Sequence, residues 1–154
     1  MDIQERLKHL VIEHNQATIE MLWNKIYDVF GYLNEVSDLN EITKITEYLQ
    51  SVKRGEPRLF QDISLQNKEI DIVLQRYLLE AAMLHITVEF DIDPLGTLSA
   101  ETTVEIIKSL EYCFEKIFNY HASDAFLYIK AKKDRVHIYA ERIKDRLFDA
   151  EVTL

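Results

Sequence analysis

Between positions 2 and about 36, apolar residues recur at helical spacing, with no proline and with Gly31 as the one glycine. Placed at 100° per residue, Leu7, Leu10, Val11, Thr18, Met21, Leu22 and Val29 share one side, and Ile12, Ile19, Trp23, Ile26, Phe30 and Leu33 widen it. The arc covers well over half the circumference, whereas a surface helix needs a stripe of only ~100°. An arc this wide demands partners on two sides. It predicts a bundle of at least four helices, and a homodimer to supply what one short chain does not. Leu22, Trp23, Ile26, Phe30 and Leu33 are the expected dimer core. Asp2 is placed to cap the helix start.

Ser37-Asp38-Leu39-Asn40 reads as the following turn, with Asn40 or Asp38 as N-cap. Ile42, Ile45, Leu49 and Val52 then mark a second helix, which Lys53-Arg54-Gly55 ends. Residues 56 to 66 read as a loop with Pro57 as breaker. Ile70, Val73, Leu74, Tyr77, Leu78 and Ala81 mark a helix over 67 to about 84, and the alternation from Ile86 to Ile92 marks a strand. Pro94, Gly96 and Ser99 form a loop and a cap before a helix over 100–119. Phe126–Ala131 and Arg135–Ala140 flank Lys-Lys-Asp as a hairpin, and 141–154 reads as a short helix. The fold class is α+β, a helical hairpin over 1–55 followed by a small α/β unit over 66–154.

Composition narrows the function. The net charge of −9 argues against nucleic acid, whose binding rests on Lys and Arg neutralising phosphates, and against anionic membranes. No apolar run approaches the ~20 residues of a membrane span, and the acidic start is unlike a signal peptide, so a cytoplasmic protein is expected. The single cysteine, Cys113, excludes an internal disulfide and sits on an apolar helical face as a core residue. His9, His14, His85, His121 and His137 show no metal spacing, and no metal or other cofactor is expected. The acidic strand end of Glu89, Asp91 and Asp93 reads as solvated.

Two stretches resemble a known family. Asn24-Lys-Ile-Tyr-Asp-Val-Phe-Gly-Tyr-Leu33 is similar to the run just past the phosphorylated histidine in the Spo0B-like and GHKL sensor histidine kinase family. Asn67-Lys-Glu-Ile-Asp71-Ile-Val-Leu74-Gln-Arg76, followed by Ala81 and a strand from Ile86, resembles that family's entry into its ATPase-like domain. The resemblance spans residues 10 to about 140. It implies a dimeric four-helix bundle followed by a degenerate ATPase-like unit.

The departures from the pattern shape the functional expectation. The phosphoacceptor histidine would stand at Glu20, with Met21 in place of its acidic neighbour. A carboxylate is not the imidazole that carries a phosphoryl group reversibly. His14 falls among Leu7, Leu10, Val11, Thr18 and Met21 and reads as a packing histidine or, less simply, as a displaced phosphoacceptor. Glu115-Lys116 stands where the family's Mg²⁺-binding Asp-Asn would be, and a lysine cannot ligate Mg²⁺. Three glycines in 154 residues leave no phosphate-cradling loop, so ATP binding in the family's manner is not expected. The resemblance therefore implies a non-catalytic regulator that binds a response-regulator receiver domain or a sensor kinase. Its contact strip would be Glu13, Gln16, Glu20, Asn24 and Tyr27, the polar arc of the first helix. Without the resemblance, that arc is simply a solvated helix face. A phosphotransferase using His14 and a structural dimeric adaptor are the competing functions.

Overall fold

The structure, a computed structural model, describes residues 2–31, 36–56, 64–120, 124–143 and 145–154, and for 27–31 and 36–39 the backbone alone. The described residues form eight elements in the order α1 (Ile3–Gly31), α2 (Val36–Lys53), α3 (Lys68–Met83), β1 (Thr87–Ile92), α4 (Ala100–Asn119), β2 (Asp124–Lys132), β3 (Arg135–Arg142) and β4 (Asp145–Thr153). The strands make one sheet in sequence order. β1 runs parallel to β2 across the α4 connection, and the other neighbours are antiparallel.

The sheet is apolar on one face. Ala125, Leu127 and Ile129 of β2 and Val136, Ile138 and Ala140 of β3 are buried in alternation with half-exposed residues. α4 covers this face with Ile106, Ile107, Leu110, Phe114 and Ile117, all fully buried. Each such side chain contributes roughly 1.5–3 kcal/mol on burial. Ser99 caps α4 by accepting from the Thr102 N–H at 3.1 Å, which fixes where the helix starts. Tyr77 of α3 stacks on Phe114, ring centroids 4.8 Å apart, and joins the two helices.

α1 then lies across α3 and α4. Asp2 accepts from the Glu5 N–H at 2.8 Å and caps it. Its first half sends Leu7 and Leu10 into the core that α3, α4 and the sheet build. Its second half sends Leu22 and Ile26 into a smaller cluster with Leu49 and Val52 of α2, against which Leu79 of α3 packs. The chain's own helices thus cover the arc at Leu7, Leu10, Leu22 and Ile26. Ile12, 55% exposed, and Trp23, 39% exposed, are arc residues that these helices leave open. α1 also belongs to both clusters, so the core crosses the boundary expected near residue 55.

Two local expectations change. The turn expected at Ser37–Asn40 lies inside α2, whose backbone is helical from Val36. Where a helix is expected over 141–154, Glu141 and Arg142 end β3 and Asp145–Thr153 is the strand β4. Phe148, Ala150 and Val152 stand opposite Ala140, Ile138 and Val136, a period of two. Two features mask that period. The register slips between Ala140 and Glu141, which throws Leu147 out of step. The preceding turn also carries no glycine or asparagine, since Ile143 itself takes the left-handed conformation with φ 55°. The end of α2 follows its signature, because Gly55 has φ 71° and Glu56 N–H reaches back to the Ser51 carbonyl at 3.0 Å. Pro57 lies outside the described residues.

Candidate functional site

Four of the five strip residues are described with their side chains. Glu13, Gln16, Glu20 and Asn24 are all exposed, and the Tyr27 side chain lies outside the described residues. At 100° per residue the four fall within about 80° of one another, nearly opposite the buried stripe of Leu7, His14, Thr18 and Leu22. Glu13 to Asn24 covers ~17 Å of helix at 1.5 Å per residue. The arrangement offers a partner one continuous polar ridge with two carboxylates.

The expected dimer-core residues divide. Leu22 and Ile26 are buried at 3% and 5% exposure inside the chain's own α1–α2–α3 cluster. Trp23 is 39% exposed, with the Lys53 ammonium 5.1 Å from the ring centroid. The side chains of Phe30 and Leu33 lie outside the described residues.

His14 is a core histidine, 5% exposed, and both ring nitrogens are engaged. Its Nδ1 faces Nη1 of Arg76 on α3 at 3.3 Å, and its Nε2 faces Oε1 of Glu111 on α4 at 3.1 Å. A guanidinium only donates, so Nδ1 must be the bare nitrogen. The proton therefore sits on Nε2 and is donated to Glu111. Burial pulls the His14 pKa below its ordinary value, Glu111 pulls against it, and Arg76 adds to the depression. Arg76 lies over the Tyr77 ring at 4.4 Å and beside Glu80 at 3.3 Å, close enough for charge pairing but not aligned for a hydrogen bond. Lys108 neutralises the other oxygen of Glu111 at 3.5 Å. Thr18, fully buried, donates to the His14 carbonyl at 3.2 Å. Nothing local in the sequence marks Arg76 and Glu111 as partners of His14, since they lie 62 and 97 residues away.

The motif at 67–76 has a structural task. Asn67 caps α3 by accepting from the Ile70 N–H at 3.2 Å, and its amide donates to the Gly96 carbonyl at 3.0 Å. Asp71, 5% exposed, accepts from the Leu65 N–H at 2.9 Å and the Ser64 hydroxyl at 3.0 Å. Burial raises its pKa and these two donors oppose the rise. The Leu65 carbonyl in turn accepts from Leu95 N–H at 2.8 Å. Asn67 and Asp71 together tie the loop before α3 to the loop after β1.

Glu115 and Lys116 are exposed on the solvent side of α4. Asp91 and Asp93 both pair with Lys130. His137 meets Asp149 at 2.6 Å on the open face of the sheet, and His121 lies outside the described residues. Among the described residues no three His, Cys, Asp or Glu side chains gather as a metal site, and no helix is long and apolar enough to cross a membrane. Cys113 is fully buried, and burial pushes its thiol pKa up to about 12. Compared with models of known protein families and with curated proteins, the chain matches none.

Proposed function

We propose that this protein regulates by binding, with the polar ridge of α1 docking a response-regulator receiver domain or a sensor kinase. The observation that carries the reading is the exposure of Glu13, Gln16, Glu20 and Asn24 along one side of a helix whose opposite side is anchored in the core. A phosphorelay helix must present its reacting group to a partner, and Glu20 stands at that place in the resemblance without the imidazole. The order of helix, strand, helix and hairpin from α3 to β3 is compatible with a degenerate ATPase-like unit. The proposal is stated for one chain; Ile12 and Trp23 of the α1 arc remain partly exposed, where a second copy could pack. Phosphotransfer at His14 finds no support: the ring is buried and both nitrogens are occupied. The test is a pull-down from the native cytoplasm, read for receiver domains and sensor kinases, with Glu20→Ala as the comparison bait. Recovery of such a partner by the wild type and its depletion with Glu20→Ala supports the reading. Equal recovery by both baits reduces the ridge to a solvated face.

A further inference from the structure

α3 and α4 are the helices packed against the sheet, and both belong to the core on the side of Leu127 and Ile138. The strand register lays out the opposite side in rows. Glu89 of β1 stands beside Phe126 of β2, and Phe126 beside Glu141 of β3. In the next row Asp91, Tyr128, Tyr139 and Asp149 follow one another across all four strands. Phe126, Tyr128 and Tyr139 are half-exposed, and the two tyrosine rings lie 5.7 Å apart.

The charges on this face are unevenly matched. Lys130 pairs with Asp91 and Asp93, Arg135 with Glu151 at 2.9 Å, and Arg146 with Asp149 at 3.6 Å. Among the described residues that leaves Glu89 and Glu141 without a cation partner. Glu141 is nevertheless held in place. The Tyr139 hydroxyl donates to its Oε2 at 2.9 Å, and the Tyr128 hydroxyl donates to its Oε1 at 3.4 Å. Two hydroxyls orient the carboxylate without neutralising it.

Geometry decides the class of occupant. Neighbouring strands lie ~4.8 Å apart, so Glu89 and Glu141 stand about 10 Å apart at the backbone with Phe126 midway. The face of an aromatic ring attracts a cation. A guanidinium is planar, stacks on a ring and donates from more than one edge, so it can rest on Phe126 and turn an edge to each carboxylate. An ammonium is a strongly hydrated point charge and meets this arrangement less well. On an open sheet one stacked cation strengthens binding only a few-fold, which suits an anchor within a longer contact better than a free small cation. We propose that this face docks an extended, arginine-bearing segment of a partner protein, one guanidinium resting on Phe126 between Glu89 and Glu141. The site lies on the sheet and does not depend on the reading of the α1 ridge.

The experiment is titration calorimetry of the full chain at about 0.15 M salt. The probe is an eight-residue peptide of alternating arginine and serine, compared with the same peptide carrying lysine. The protein's net charge of −9 attracts both alike, so a preference for arginine must arise from the ring and its flanking carboxylates. The expected result is saturable binding of the arginine peptide, at least about threefold tighter than the lysine peptide. Glu89→Gln and Glu141→Gln should each weaken it by about threefold, and Phe126→Leu should abolish the preference for arginine. Glu20→Gln, on the α1 ridge, should leave it unchanged. Glu89 is exposed, so Glu89→Gln keeps the test open should either other sheet variant fail to fold. The proposal is overturned by the absence of saturable binding, by equal affinity for the two peptides, or by a preference that survives Phe126→Leu. Weakening by Glu20→Gln as large as that by Glu89→Gln overturns it too, because the attraction would then be general.

Discussion

Nε2 of His14 and Oε1 of Glu111 lie 3.1 Å apart, although 97 residues separate them in the chain. The bond fastens α1 to α4 with a histidine that must be neutral, since Arg76 occupies its other nitrogen. A protonated ring would turn an Nδ1–H toward that guanidinium.

This sets a pH dependence. The folded pKa of His14 is depressed below its ordinary value of 6.5. Between the two values the unfolded chain binds more protons than the folded one, so stability rises with pH. The contribution is complete above about pH 6.5 and is lost as pH falls toward the folded pKa, at ~1.4 kcal/mol per unit of depression. Urea unfolding at pH 8, 7, 6 and 5 should show this loss, and His14→Gln should remove the part that His14 contributes. Parallel pH profiles for the two proteins would contradict it.

Asp71 is expected to matter through a donor it satisfies. Asp71→Ala leaves the buried Leu65 N–H without its acceptor, at a cost of about 1–3 kcal/mol. Asp71→Asn keeps an acceptor oxygen and should cost clearly less. Thermal or urea unfolding of the two variants separates this from a general effect of lost charge, which both would share.

Trp23 and Ile26 sit three residues apart but in different surroundings. Ile26→Glu places an uncompensated charge among Leu22, Leu49 and Val52, and should destabilise by ~3–5 kcal/mol. Trp23→Glu, at a partly exposed site, should cost about 1 kcal/mol or less. Sedimentation of the Trp23 variant should match the wild type. A wild-type dimer that Trp23→Glu dissociates would restore the dimer seam that the apolar arc suggests.

Glu20→Ala should leave unfolding free energy within ~0.5 kcal/mol of the wild type, as exposed substitutions usually do. Its effect on a recovered partner should be ~1 kcal/mol or more, the scale of a central interface charge. Titration calorimetry with that partner measures it, and equal affinities would remove Glu20 from the interface. Glu20→His alone should not create phosphotransfer, because Met21 stands beside it.

Much of the fold is legible in the sequence because it is written in local periods. α3, α4, β1 and the β2–β3 hairpin all carry an unbroken apolar rhythm with caps or turns at their ends. β4 is not legible, because Leu147 breaks the alternation and Ile143 makes a turn with no turn residue. The width of the α1 arc is readable, but not which helices cover it. That depends on pairings between residues far apart in the chain. The exposed strip follows from periodicity, whereas Arg76 and Glu111 become partners of His14 only once three helices are packed. The resemblance at Asn67 and Asp71 coincides with residues that cap a helix and bind two loops, so those two positions have a structural reason to carry these side chains.

The sheet order also has a consequence for how the molecule assembles. β2, β3 and β4 join through short reversals, so their contacts are local and close quickly. β1 reaches its place only after α4 has crossed over, and α1 docks on helices 60 to 100 residues downstream. The meander with α4 is therefore expected to form first and to open last. α1, with α2 packed on it, should be the unit that leaves and returns while the rest stays folded. Amide exchange should then be slowest along β3 and the middle of α4 and faster along α1, where the ridge that would meet a partner is carried.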